Sequence, residues 1–119
     1  NEELPVVSEL LQLKTSREDE QIAELLDHYE LHAVALTRGG DGSALFTTEG
    51  CTMCPGITIQ VADTVGAGDS YTAALAVGLL RDYDLTVINR AATRLGAFVA
   101  SQKGATPLLP DQVKDVLWQ

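Results

Sequence analysis

The chain of 119 residues is long enough for one domain with a core of moderate size and too short for two ordinary ones. With 45% apolar and 21% charged residues and a mean hydropathy near zero, it has the profile of a chain that folds and not of a disordered tail. A formal charge of -9 repels a nucleic-acid backbone or an anionic membrane, so any phosphate it meets must be held by local donors.

The chain opens on Asn1 without an initiating Met, and its first residues read like the middle of a fold, so a fragment is expected: a single partial domain over residues 1–119. Residues 16 to 29 carry the clearest helix signal. Ser16 with Asp19 forms a capping box, and Ile22, Leu25, Leu26 and Tyr29 repeat on one face. AVALT, residues 33 to 37, reads as a buried strand, RGGDG (38 to 42) as flexible backbone, and SALFTT as a second strand. CTMCPGITIQVAD reads as two further extended pieces broken at Pro55-Gly56.

After GAGD, residues 66 to 69, a helix is expected to about Asp82, with Ala73, Ala74, Ala76 and Gly78 small enough to let it sit close to a sheet. Its apolar run AALAVGLL is far shorter than the roughly 20 residues a bilayer requires, and no basic segment precedes an apolar one, so no membrane or export role is expected. A helix from about Thr86 to Ser101 carries Ile88, Ala91, Leu95, Phe98 and Val99 on its apolar stripe. KGATPLLP is a loop and DQVKDVLW a short terminal helix. Helix, strands and extended pieces followed by three helices suggest the back half of an α/β sheet protein.

Two constellations offer other chemistry. CTMC is a lone Cys-x-x-Cys, which can be half a zinc site or a redox pair. The only histidines, His28 and His32, flank the end of the helix before it, where their rings no longer share a face, so ordinary strand or loop cysteines are the better reading. With only Cys51 and Cys54 available, a disulfide framework is not expected and a reducing cytoplasm is. DYDLT, residues 82 to 86, matches an aspartyl-phosphate motif that belongs at a strand end. Here it joins two helical stretches, with Asp84 or Thr86 as an N-cap.

GAGD carries more. Small residues opening a helix leave backbone N–H groups unpaired, and the helix dipole reinforces the anion site they form. A carboxylate in that first turn, Asp69, can accept the proton of a hydroxyl attacking a phosphoryl group held there. The plainer reading is an acid that complements the dipole.

The longer string DTVGAGDSYTAAL resembles the signature of the ribokinase-like carbohydrate kinases, the phosphofructokinase B family, and two further segments agree. ALTRGGDGSALF, residues 35 to 46, looks like the family's nucleotide-contacting strand and turn, and KGATPLLP, residues 103 to 110, like its late loop beside the adenine pocket. The resemblance implies an α/β, ribokinase-like fold, C-terminal part, from a kinase that uses ATP and Mg2+ to phosphorylate a small sugar, fructokinase-like members being favoured. Kinases of the same family acting on a nucleoside or a sugar phosphate, or a non-catalytic nucleotide-binding module, are the alternatives. By similarity Asp69 would be the catalytic base, and Gly66, Ala67 and Gly68 the anion hole. Thr37, Gly39 and Gly42 would line the nucleotide, with Arg38 reaching its phosphates; taken alone, RGGDG reads equally well as a hairpin turn.

Asp63 would belong to the family's monovalent cation (K+) site, with backbone carbonyls of Val65, Val99, Gln102 and Gly104; Leu108 stands where some relatives supply a closing hydroxyl. Without the resemblance Asp63 reads as a turn or N-cap acid. The opening looks like the family's Asn-x-x-Glu segment, but counting from Asn1 the Glu falls on Leu4, so Glu2 and Glu3 read as surface helix acids. Family members are much longer than this chain. The missing N-terminal part would carry most sugar contacts and a lid, and any homodimer is expected through it.

Overall fold

The computed structural model describes residues 2–11, 13 and 17–119. The chain begins with α1 (Glu3–Leu10) and α2 (Glu18–His28), then runs through β1 (Val34–Thr37), β2 (Gly42–Thr47) and β3 (Gly50–Pro55). It finishes with α3 (Ala67–Leu80), α4 (Leu85–Ala100) and α5 (Asp111–Val116). The strands form one antiparallel sheet in the order β1-β2-β3. Val34 pairs with Phe46 across β1 and β2, and Gly42 with Pro55 across β2 and β3.

Alternation along the strands divides the molecule into three layers. Leu36 and Ala44 point to one face, where Leu4 of α1 and Ile22, Leu25 and Leu26 of α2 close over them, with Val34 and Phe46 at the margin. Ala35 points the other way and joins Tyr71 and Ala74 of α3, Ala92 and Leu95 of α4, and Trp118. The α4 stripe is buried at Ile88, Ala91, Leu95 and Val99, while Phe98 is half-buried; two polar residues, Asn89 and Thr93, share the buried side. Arg94 Nη1 donates to the carbonyls of Val116 (3.3 Å) and Gln119 (2.9 Å), which ties the last turn of the chain to α4.

Several expectations need correction. The opening segment forms α1, which the expected element order did not include; Leu4, the position of the expected Glu, is buried in the core. Asn1 and Ser16, and with them the expected capping box, lie outside the described residues; α2 has Arg17 at its N-cap position, bonded to Asp19 at 3.2 Å, and Glu18, Asp19 and Glu20 in its first turn. β1 is less buried than a central strand: Leu36 is buried, but Thr37 is exposed at the edge of the sheet. The extended piece expected after Pro55-Gly56 pairs with no strand among the described residues. The amides of Ala62 (2.9 Å) and Asp63 (3.2 Å) donate to the Ala100 carbonyl at the end of α4 instead of to a neighbouring strand.

Cys51 and Cys54 lie opposite Phe46 and Ser43 on β3, and both are free thiols. Among the described residues no three His, Cys, Asp or Glu side chains come together as a metal group, and no helix is long and apolar enough to cross a membrane. DYDLT joins α3 to α4, with Asp84 at the N-cap position and no side-chain cap bond.

The close approach of α3 to α4 depends on Gly78. A Cβ there would stand 2.6 Å from Cγ1 of fully buried Ile88 and 3.1 Å from Cζ3 of Trp118. Gly78→Val is expected to cost about 1–3 kcal/mol through overpacking, against a helix-propensity gain below about 0.5 kcal/mol. Urea unfolding should show a lower midpoint at unchanged slope; an unmoved midpoint would show that the two helices part without penalty.

Candidate active site

The start of α3 is set by one backbone conformation. Gly66, the N-cap residue, has φ +84°, in the left-handed region, and a Cβ on it would lie 2.4 Å from the Ala105 carbonyl oxygen. A residue with a side chain would meet both a conformational penalty of about 1–2 kcal/mol and a backbone overlap. Glycine lets the chain reverse into the helix while lying flat against the KGATP loop.

The reversal leaves donors exposed. The Ala67 amide bonds to the Thr64 carbonyl at 3.3 Å and the Ser70 amide to the Gly66 carbonyl at 2.9 Å. The amides of Gly66, Gly68 and Asp69 have no hydrogen-bond partner among the described residues. These are orphan donors of a helix N-terminus, where the macrodipole favours a negative charge. Of the expected anion hole, one amide is therefore occupied, and the amide of Asp69 joins those that remain.

Facing this helix start is the turn between β1 and β2, which is a hairpin connection closed by a single 3-10 turn over Gly39–Asp41. A cavity of about 290 Å³ separates them. Thr37, Gly39 and Gly42 line it on one side and Ala67 and Gly68 on the other, while Tyr71, Thr93, Gly96 and Ala97 form its floor. Ile57, Ile59 and Val61, from the irregular segment after β3, supply an apolar wall. A mostly apolar hollow with backbone polar groups at one end suits a flat ring carrying an anionic tail.

The remaining expected residues stand around this cavity without lining it. Gly66 lies behind it, against Ala105. Asp69 is exposed, on the first turn of α3 next to cavity-lining Gly68. Arg38 does not extend into the cavity; its guanidinium bonds to Glu18 on α2, an ion pair that holds the turn against the opposite layer. Asp63 accepts the Val65 amide at 2.9 Å, the turn geometry its residue type favours. The Val99 carbonyl accepts the Gln102 amide at 3.1 Å, and Gly104 has φ +88°. The Asp63–Val65 turn and the segment after α4 are brought side by side by the bonds to Ala100 and by the Gly66–Ala105 contact.

Three cavity-lining residues, Ser43, Tyr71 and Thr93, and the buried Asn89 bonded to them were not among the expected site residues. Tyr71 Oη donates to Asn89 Oδ1 at 2.8 Å, and Ser43 Oγ lies 2.6 Å from the same oxygen and 2.7 Å from Thr93 Oγ1. Burial pushes the Tyr71 phenol above its ordinary 10.0; the Ser43 hydroxyl pulls it back and the Cys54 thiol pushes it further up. The available signal was the spacing of Asn89 and Thr93, one helical turn apart beside Ile88 and Ala92.

The sequence pattern of the pfkB family carbohydrate kinases matches residues 5–112. The chain is 34% identical over 93 residues to 5-dehydro-2-deoxygluconokinase of Shouchella clausii, covering 77% of this chain and 28% of that protein. It is 34% identical over 95 residues to the ATP-dependent ribose-1-phosphate kinase of Halopiger xanaduensis, covering 73% of this chain and 32% of that protein. Among solved structures, the nucleoside kinase of Methanocaldococcus jannaschii, an archaeal member of the ribokinase family, superimposes with a TM-score of 0.75 at 29% identity, over 97% of this chain and 36% of that one. The chain thus spans about a third of the length of the relatives it matches.

The Tyr71 environment has a pH signature. Because the folded-state value is raised, the folded protein holds this proton more tightly than the unfolded chain does. Its contribution is intact below about pH 10 and is lost as pH rises from there through the folded value. The unfolding free energy of the parent should therefore fall more steeply above pH 10 than that of Tyr71→Phe. Parallel curves would show that the phenol is not buried in solution.

Proposed function

Because the chain belongs to the pfkB family of carbohydrate kinases, we propose that it is the nucleotide-binding and catalytic-base part of a larger enzyme that transfers the terminal phosphoryl group of ATP to a hydroxyl of a small sugar or sugar derivative. The observation that carries this reading is the cavity in which the Thr37–Gly42 turn faces the unpaired amides at the start of α3.

In this reading the nucleoside lies against the apolar wall and its phosphates run toward Gly68 and Asp69. The substrate oxygen attacks the terminal phosphorus in line, its proton passes to the Asp69 carboxylate, and the bond to the bridging oxygen breaks with its electron pair leaving on ADP. The orphan amides receive the charge that develops on the transferring group. Donors of this kind are each worth on the order of 10² to 10³ in rate.

The donor set fits the cofactors unequally. Asp63 has one carboxylate oxygen engaged by Val65, and backbone carbonyls of Val65, Val99, Gln102 and Gly104 stand in the adjoining segments, an all-oxygen set suited to a hard monovalent cation such as K+. A filled site would brace the loop behind the anion hole. Magnesium finds no cage of three or more acidic or histidine side chains among the described residues, so it would enter on the phosphates, where it would supply charge neutralisation.

The substrate is a carbohydrate hydroxyl. The segments RGGDG and NEELPVV favour fructose, while relatives whose names include a deoxygluconate, a ribose phosphate and a nucleoside set the panel to be tried. In the protein that carries this chain, Asp69→Asn should keep nucleotide binding and lower kcat by about 10² to 10⁴. The assay is ATP-dependent transfer to fructose, ribose, ribose phosphate, sugar acids and nucleosides. No transfer by the parent to any of them would leave a nucleotide-binding module in place of an enzyme. The isolated 119-residue chain should transfer little or nothing, since positioning and water exclusion supply most of the rate.

A further inference from the structure

Asn89 is fully buried on α4, and an amide without partners there would cost about 1–3 kcal/mol for each unsatisfied group. It is instead bonded through both its oxygen and its nitrogen. Its Oδ1 accepts from Tyr71 Oη (2.8 Å) on α3 and from Ser43 Oγ (2.6 Å) on β2, and its Nδ2 donates to the Thr52 carbonyl (3.0 Å) on β3. Its own carbonyl accepts from Thr93 Oγ1 at 2.8 Å. One side chain on one helix thus joins three other elements.

The partners are the neighbours of the site. Ser43 directly follows Gly42, the end of the nucleotide-facing turn, and Tyr71 stands two residues after Asp69, on the turn that carries the orphan amides. Both also line the cavity. The sheet and α3 meet here through a shared acceptor in addition to the apolar contact of Ala35 with Tyr71 and Ala74, and apolar packing alone tolerates sliding. Hydrogen bonds at these distances do not.

We propose that Asn89 is a positioning residue that sets the distance between the two halves of the nucleotide cavity, the Tyr71 arm placing Asp69 and the amides of α3 and the Ser43 arm placing the Thr37–Gly42 turn. This rests on the kinase reading of that cavity. The hydroxyl protons make the cluster directional. Asn89 Oδ1 carries no hydrogen, so Tyr71 and Ser43 both donate to it, and the one hydrogen of Thr93 goes either to the Asn89 backbone carbonyl or to Ser43 Oγ. A leucine fills similar volume and can accept nothing.

The two arms predict different kinetic losses in the protein that carries this chain, measured with ATP·Mg2+ and the best sugar of the panel. Tyr71→Phe should lower kcat about tenfold with little change in KM for ATP, Ser43→Ala should chiefly raise KM for ATP by about tenfold, and Asn89→Leu should do both. Equal kinetic constants in all three variants, with only a lowered Tm, would overturn the proposal and leave the cluster a stabilising feature. If Asn89→Leu fails to fold, the two single-arm variants decide.

Amide hydrogen exchange separates this outcome from failure of the kinase reading. In the absence of any transfer by the parent, the amides of Gly68 and Asp69 should still exchange at least about tenfold faster in Tyr71→Phe than in the parent, relative to amides in the middle of α3. Unchanged relative exchange would overturn the positioning role whatever the reaction.

Discussion

The carbonyl of Ala105 occupies the space that any side chain at position 66 would need, and most of the site follows from that contact. With glycine there, the chain turns into α3 while touching the loop after α4, so two segments almost forty residues apart form one surface. The turn also places the first N–H groups of α3, which have no partner within a helix, toward the cavity side at Gly68. A second close contact fixes the same end of α3 from the other side: Gly96 on α4 leaves room for the Ala67 carbonyl, which would lie 3.2 Å from an added Cβ.

The sheet supplies the opposing wall. Its antiparallel strands have one face under α1 and α2 and the other under α3 and α4, so the β1–β2 turn lies at the edge where both layers end. There the Arg38–Glu18 pair joins the turn to one layer, and Ser43, through Asn89, joins it to the other. The first of these is half-exposed and screened by solvent, and pairs of that kind contribute little to stability. The buried amide is the more rigid restraint. The strongly acidic surface makes this division useful, since an anionic ligand is attracted only where backbone dipoles converge and is repelled elsewhere.

Local chemistry was legible in the sequence and tertiary pairing was not. The apolar repeats of α2 and α4, the helix beginning in GAGD and the glycine-rich turn all state their conformation within a few residues. ITIQVAD has the alternation of a strand but forms none, because its amides find a helix-end carbonyl at Ala100, which no local pattern announces. Arg38 was expected at the phosphates from the family resemblance; its partner Glu18 is twenty residues earlier and reaches it only once α2 has packed on the sheet. Asn89 interrupts an apolar stripe in the sequence, and its value depends on Ser43 and Tyr71, which come from two other elements.

Asp69 shows how far this chain goes toward a complete site. Its carboxylate stands in the first turn of α3, beside unpaired amides that an anion would occupy, yet it is open to water. The general base proposed for Asp69 would in that state be well placed but poorly insulated, and the electrostatic gain from the amides is largest only when water is excluded. The described residues wall the nucleotide side of the cavity with Ile57, Ile59 and Val61 but raise nothing over Asp69. Under the proposed reading, a surface outside these residues would have to cover the acid and present the hydroxyl, so this chain would fix the donors and the base while substrate choice would fall to whatever closes over them.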